Sequence, residues 1–164
     1  MYTILRYDLP MFLVLTISNY IPDFVRMGAI RGALVRPFFR KCGKRLVVFR
    51  NVQIINPSLI SLGNDVGLGF FSSIEAREPV VVESEVMLGP FAKISALQQP
   101  ENPGKGVHLK FGSWLGANAI ASSGTVLGMG AIIGACACAQ EEIPDHALFV
   151  ASVQTELLKN GANG

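Results

Sequence analysis

LKFGSWLGANAIASSGTVLGMGAIIGACACA, residues 109–139, decides how this chain folds. Counted in sixes, an aliphatic or small residue returns at every step: Leu109, Leu115, Ala121, Leu127, Ile133 and Ala139. Gly116, Gly128 and Gly134 follow three of these positions at once. A period of six fits neither an amphipathic helix, which repeats every ~3.6 residues, nor a half-buried strand, which repeats every ~2. Hexapeptide self-similarity is the signature of a parallel β-helix. Three hexads close one triangular coil, and each inward residue stacks on its counterpart one coil away.

The register also runs backwards from this stretch. Leu62, Leu68 and Ile74 form one triplet, and Val82, Leu88 and Ile94 form the next. Val48 and Ile54 open an earlier coil, with Asn56 and Pro57 at a corner. Between Val82 and Leu109 the repeat is interrupted once, by LQQPENPGKGV at 97–107. Its Pro and Gly content marks an excursion from a corner, and in repeat proteins such insertions on one edge often build the working site. The expected fold is mainly β: a parallel β-helix of four to five coils at 46–143. It is preceded by a basic helical segment at 1–45 and followed by a tail at 144–164.

Composition sets further bounds. Half of the residues are hydrophobic and 16% are charged, so core material is plentiful. The net charge of +2 conceals an asymmetry. Residues 1–50 hold nine Lys and Arg against two Asp and Glu, whereas 51–164 hold five against ten. A basic end on an acidic body points to contact with a polyanion such as anionic lipid. No phosphate-binding glycine loop or nucleic-acid motif accompanies it. The apolar run at 9–21 is too short to span a bilayer. Arg26, Arg31, Arg36 and Arg40 recur among apolar residues in one or two short helices interrupted near Pro37. These helices are expected to cap the solenoid, to lie at a membrane surface, or both. The three cysteines lack paired metal spacing. Cys136 and Cys138, in the tight repeat GACACA, read as packing thiols of a reducing, cytoplasmic compartment.

SWLGANAIASSGTVLGMGAIIGACACAQEEIP, residues 113–144, resembles the closing coils of the hexapeptide-repeat acyltransferases. The branch it is most similar to O-acetylates sugars and surface polysaccharides. The resemblance implies a left-handed β-helix, a homotrimer with active sites between subunits, acetyl-CoA as co-substrate, and a sugar or glycan acceptor. It also implies a place in polysaccharide biosynthesis, peripheral to the inner face of the membrane. Transfer from a thioester to a hydroxyl needs a base and donors for the developing oxyanion. In the family the base is a His ending the hexad before the excursion. That position is Gln99 here, and glutamine cannot take up a proton near neutral pH. His108, at the far end of the same excursion and outward in the register, is the candidate substitute, with Gln99 left to orient the acceptor. His146 reads as a loop residue.

Trp114, Gly116, Ala117 and Asn118 keep the family pattern, and Gly134 and Ala135 stand one coil further on. This small-residue corner is expected to bind coenzyme A, with nearby backbone amides meeting the thioester carbonyl. Two departures stand beside it. Ala121-Ser122-Ser123-Gly124 replaces aliphatic residues and Pro-Gly, and Val150-Ala151-Ser152-Val153 replaces a Gly-x-Pro element. These departures, together with Gln99, also suit a rival reading: a catalytically silent solenoid kept as an assembly partner in a glycan pathway. A metal site is not expected, since His108 and His146 occupy unrelated register positions.

Overall fold

Inward residues at period six stack into columns, and those columns are the core of the protein. The computed structural model describes residues 4–20, 26–98 and 104–151. Its strands are short, all parallel, and arranged on three faces of a β-solenoid of about five turns. The first face runs Lys41–Cys42, Ile60–Leu62, Val80–Val82, Val107–Leu109, Val126–Leu127, Glu142–Ile143. The second runs Val47–Val48, Gly67–Leu68, Met87–Leu88, Trp114–Leu115, Ile132–Ile133, Leu148–Phe149. The third holds Gln53–Ile55, Ser73–Ala76, Lys93–Ala96, Ile120–Ser122 and Cys138–Ala139. Strand pairing therefore extends beyond 46–143 at both ends.

The register agrees with the period. Leu62 pairs with Val82, Val82 with Leu109, and Leu109 with Leu127. On the second face Leu68, Leu88, Leu115 and Ile133 follow one another. On the third, Ile54, Ile74, Ile94, Ala121 and Ala139 do so. All of these are buried. Each large aliphatic side chain taken from water contributes roughly 1.5–3 kcal/mol before chain entropy is charged against it. The third column shrinks from Ile to Ala at residue 121.

Corners close by a left-handed residue. Between the second and third faces these are Asn51, Phe71, Phe91, Asn118 and Cys136, with φ of 59°, 57°, 59°, 56° and 60°. Such a backbone costs a non-glycine residue roughly 1–2 kcal/mol. Bonds between coils offset that cost: the Phe91 N–H donates to Phe70 O at 2.8 Å and the Asn118 N–H to Pro90 O at 3.0 Å.

Two helices cover the N-terminal end, α1 (Leu9–Asn19) and α2 (Met27–Val35), with a 3-10 turn at Arg36–Phe38. Pro37 sits in that turn, where the interruption was expected. Met11, Leu15 and Val35 are buried against the first coil. Gly32 is required there, because a Cβ would lie 1.9 Å from Leu46 O. Asp8 accepts from the Asn56 N–H at 2.9 Å and Asn19 Oδ1 from the Asn51 N–H at 2.9 Å, tying the ends of α1 to the solenoid. One expected membrane-facing residue is corrected. Arg31 is fully buried, its Nε and Nη2 donating to Ser18 O at 3.3 and 3.2 Å. It joins α1 to α2 and cannot reach a headgroup. Arg26, Arg36 and Arg40 are exposed. Among the described residues, no helix is long and apolar enough to cross a membrane.

Candidate functional site

His108 stands on the first face, outward, between Val81 and Val126. Its place follows from the register, since the residue before inward Leu109 must point out. Its Nε2 lies 2.7 Å from Glu83 Oε1. Glu83 is held in turn, its other oxygen accepting the Phe111 N–H at 2.9 Å. The side chains are 39% and 41% exposed, so the pair adds little stability. Its effect is orientation. A carboxylate accepting from Nε2–H fixes the tautomer and leaves Nδ1 as the basic nitrogen. A base positioned by a third group is the arrangement that acyl transfer uses. Beside His108, Pro79, Val81, Lys105, Gly106 and Val126 line a shallow depression of about 270 Å³ where the excursion rejoins the first face.

Glu83 is absent from the expected site, although the register contains it. It follows inward Val82, which pairs with Leu109, so its side chain leaves the corner next to His108. A residue 25 positions away in sequence becomes a neighbour through one coil step.

Gln99 lies outside the described residues. The start of the excursion, two residues before Gln99, is held by Ser123. This fully buried serine donates its hydroxyl to Leu97 O, with Ser95 O at 3.4 Å. Where the family has Pro-Gly, this chain has a serine that bonds to the carbonyls at the loop's base.

The expected coenzyme residues occupy another part of the prism. Trp114 is 47% exposed on the second face. Gly116, Ala117 and Asn118 form its corner with the third face, and Gly134 and Ala135 follow one coil on. Asn118 and Ala135 are exposed there. The same corner carries Phe70, Phe71 and Phe91 in earlier coils, so only its C-terminal part is free of bulk. Gly116 has a packing reason of its own, since a Cβ would meet Ala135 N at 2.7 Å. Two corner amides and one on the adjoining strand are engaged: Gly116 N–H donates to Ile133 O, Asn118 N–H to Pro90 O and Trp114 N–H to Ala131 O. They stack coils, which removes them as donors to a thioester. Within one chain, His108 and this corner lie on different faces and do not meet.

The cysteines are also corrected. Cys136 and Cys138 are exposed, and Ala137 and Ala139 fill the core. Inward Ile133 and Ala139 put position 138 outward and 136 at a corner. Cys42 is the packing thiol, and burial pushes its pKa up.

Comparison of the sequence with protein-family models and with curated proteins finds no match. Solved structures match across most of the chain. One is a maltose O-acetyltransferase from Clostridium difficile, 19% identical, with a TM-score of 0.73 over 92% of this chain and 84% of that one. A second is a hexapeptide-repeat-containing acetyltransferase from Vibrio cholerae complexed with acetyl coenzyme A. It is 16% identical, with a TM-score of 0.73 over 87% of this chain and 81% of that one. A galactoside acetyltransferase in complex with coenzyme A is 18% identical, also at 0.73, over 87% and 75%. The protein has the parallel solenoid fold of the hexapeptide-repeat acetyltransferases.

Proposed function

We propose that this protein transfers an acetyl group from acetyl-CoA to a hydroxyl of a sugar or glycan, with His108 as general base. The observation that carries this reading is the 2.7 Å contact between His108 Nε2 and Glu83 Oε1 on an accessible face. In the reaction His108 Nδ1 takes the hydroxyl proton as the oxygen attacks the thioester carbon. The C–S bond then breaks, and the coenzyme leaves as a thiolate that recovers the proton. Glu83 holds the ring in the orientation that leaves Nδ1 facing the acceptor. Two of the three neighbours described above were crystallised with acetyl-CoA or coenzyme A. That supports acetyl-CoA as the co-substrate here, along the Ala117, Asn118 and Ala135 corner with Trp114 and the small Gly116 and Gly134 beside it.

The separation of that corner from His108 is accommodated by a homotrimer, in which one copy's corner meets the next copy's first face. The apolar outward column of the second face fits burial between copies. The free thiols suit a reducing cytoplasm.

Turnover is measured as thiol release from acetyl-CoA with maltose and galactosides as acceptors. His108→Ala should lower kcat by about 10²–10⁴-fold. Glu83→Gln should lower it less, since the ring stays in place but loses its orienting carboxylate. Full activity in His108→Ala would sink the assignment. Coenzyme binding without turnover would favour the second reading, an inactive scaffold in a glycan pathway, which rests on Gln99 standing where the family has its base.

A further inference from the structure

The cap presents an apolar surface to solvent on the side away from the solenoid. On α1, Met11, Leu15 and Ser18 face inward and are buried. The opposite side carries Leu9, Leu13, Ile17 and Tyr20, and Phe12 stands on the flank beside a groove against residues 51–55; all five are 44–86% exposed. Residues 9–20 contain no charged side chain. On α2, Gly32 and Val35 pack on the first coil, while Ile30 and Leu34 are about half exposed on the far side. A helix that is apolar all round belongs in a nonpolar environment on both sides, and here the solenoid supplies only one. A contiguous exposed apolar patch of this kind marks an interaction surface.

The charges around it select the partner. Arg26 and Arg36 flank α2, and Arg40, Lys41 and Lys44 lie in the coil beneath; all five are exposed. Asp8 is the one acidic residue among those described from 4 to 50, and it accepts a backbone N–H from Asn56. An apolar face with a cationic rim matches an anionic lipid surface, with rings and aliphatic groups among the acyl chains and cations at the headgroups. A second copy placed end to end would bring two cationic rims together, which like-charge repulsion opposes. At 11 residues α1 is about 16 Å long, against a hydrocarbon core of about 30 Å. It lies in the interface and does not cross.

We infer that the α1–α2 cap is a monotopic membrane-docking face that seats the solenoid end-on on an anionic bilayer. This is independent of acetyl transfer: it could hold for an inactive solenoid, and an active one could lack it.

The test is co-sedimentation of the full chain with vesicles of equal phosphatidylglycerol and phosphatidylcholine, and with phosphatidylcholine alone. Wild type should partition onto the anionic vesicles and be released by raised salt. Phe12→Glu with Ile17→Glu should reduce partitioning at least about tenfold with an unchanged melting temperature, since both side chains already face water. Arg36→Glu with Arg40→Glu should reduce it about tenfold and flatten the salt dependence. Wild type remaining in the supernatant would overturn the inference, as would Phe12→Glu with Ile17→Glu sedimenting like wild type. So would a doubled assembly mass that this double variant halves without any vesicle binding, which would make the face a self-contact.

Discussion

The second and third faces of the prism share a register, a strand direction and an apolar interior, yet their outer surfaces differ. Outward on the second face stand Val47, Gly67, Met87, Trp114, Ile132 and Leu148. Outward on the third stand Gln53, Ser73, Lys93, Ile120 and Cys138. The corner between them adds Phe49 against Phe70 at 4.6 Å and Phe71 stacked on Phe91 at 5.0 Å. Inward residues are constrained by the coils above and below, so they repeat. Outward residues escape that constraint, and here they are apolar along the second face and mainly polar along the third.

The strongest way to probe this contrast is to cross from outside to inside on a single strand. Leu115→Ala removes a fully buried side chain and should cost about 2–5 kcal/mol by thermal or denaturant unfolding. Trp114→Ala, one residue away, should leave the stability of an isolated subunit nearly unchanged. Equal losses would mean that the outward column carries the fold. Next comes the contrast between faces. Met87→Glu with Trp114→Glu should lower the assembly mass in sedimentation velocity. Ser73→Glu with Gln53→Glu on the third face should not. A mass insensitive to the first pair would reject the second face as the contact between copies.

A smaller loss is expected at the base of the excursion. Ser123→Ala leaves Leu97 O without its donor and should cost about 1 kcal/mol, with faster proteolysis of the excursion. No change in cleavage would mean that the hydroxyl does not hold the loop. The smallest effect concerns the Arg45–Asp65 pair on the corner between the first and second faces. Hydrogen bonding from the Arg45 guanidinium holds the Asp65 carboxyl below its ordinary 3.8. The unfolded state therefore binds the proton more readily. The contribution is present above that pH and fades as the pH falls through the depressed value. Arg45 is exposed and Asp65 is partly so, and solvent screens the pair, so Asp65→Asn should barely alter an acid-unfolding curve. A large shift would show that these charges act far beyond their own corner.

The inner columns were legible because burial imposes a period, and Leu62, Val82, Leu109 and Leu127 announce it without knowledge of their neighbours. His108 pointing outward was legible on the same ground. Glu83 could have been found by carrying the register one coil back, since only the pairing of Val82 with Leu109 brings it to His108. Arg31 was not legible: its period matches that of Arg26 and Arg36, and the packing of α1 on α2 alone buries it. Cys136 and Cys138 misled because a run of small residues suggests interior packing, whereas the six-residue count assigns only Ala137 and Ala139 to the interior. The engagement of the corner amides was hidden too, because a backbone N–H has no letter in a sequence.

The coil count also makes the solenoid a ruler. Along the first face His108 is in the fourth strand from the capped end, three steps from Lys41–Cys42, or about 14 Å at the usual spacing between strands. With the cap seated on lipid and His108 acting as the proposed base, that would fix the height at which an acceptor hydroxyl is reached. Sugars close to a membrane anchor would fall short of the base, and those further along a glycan would meet it. Duplicating one coil in register below His108 would raise that height by about 5 Å and move acetylation outward along the chain.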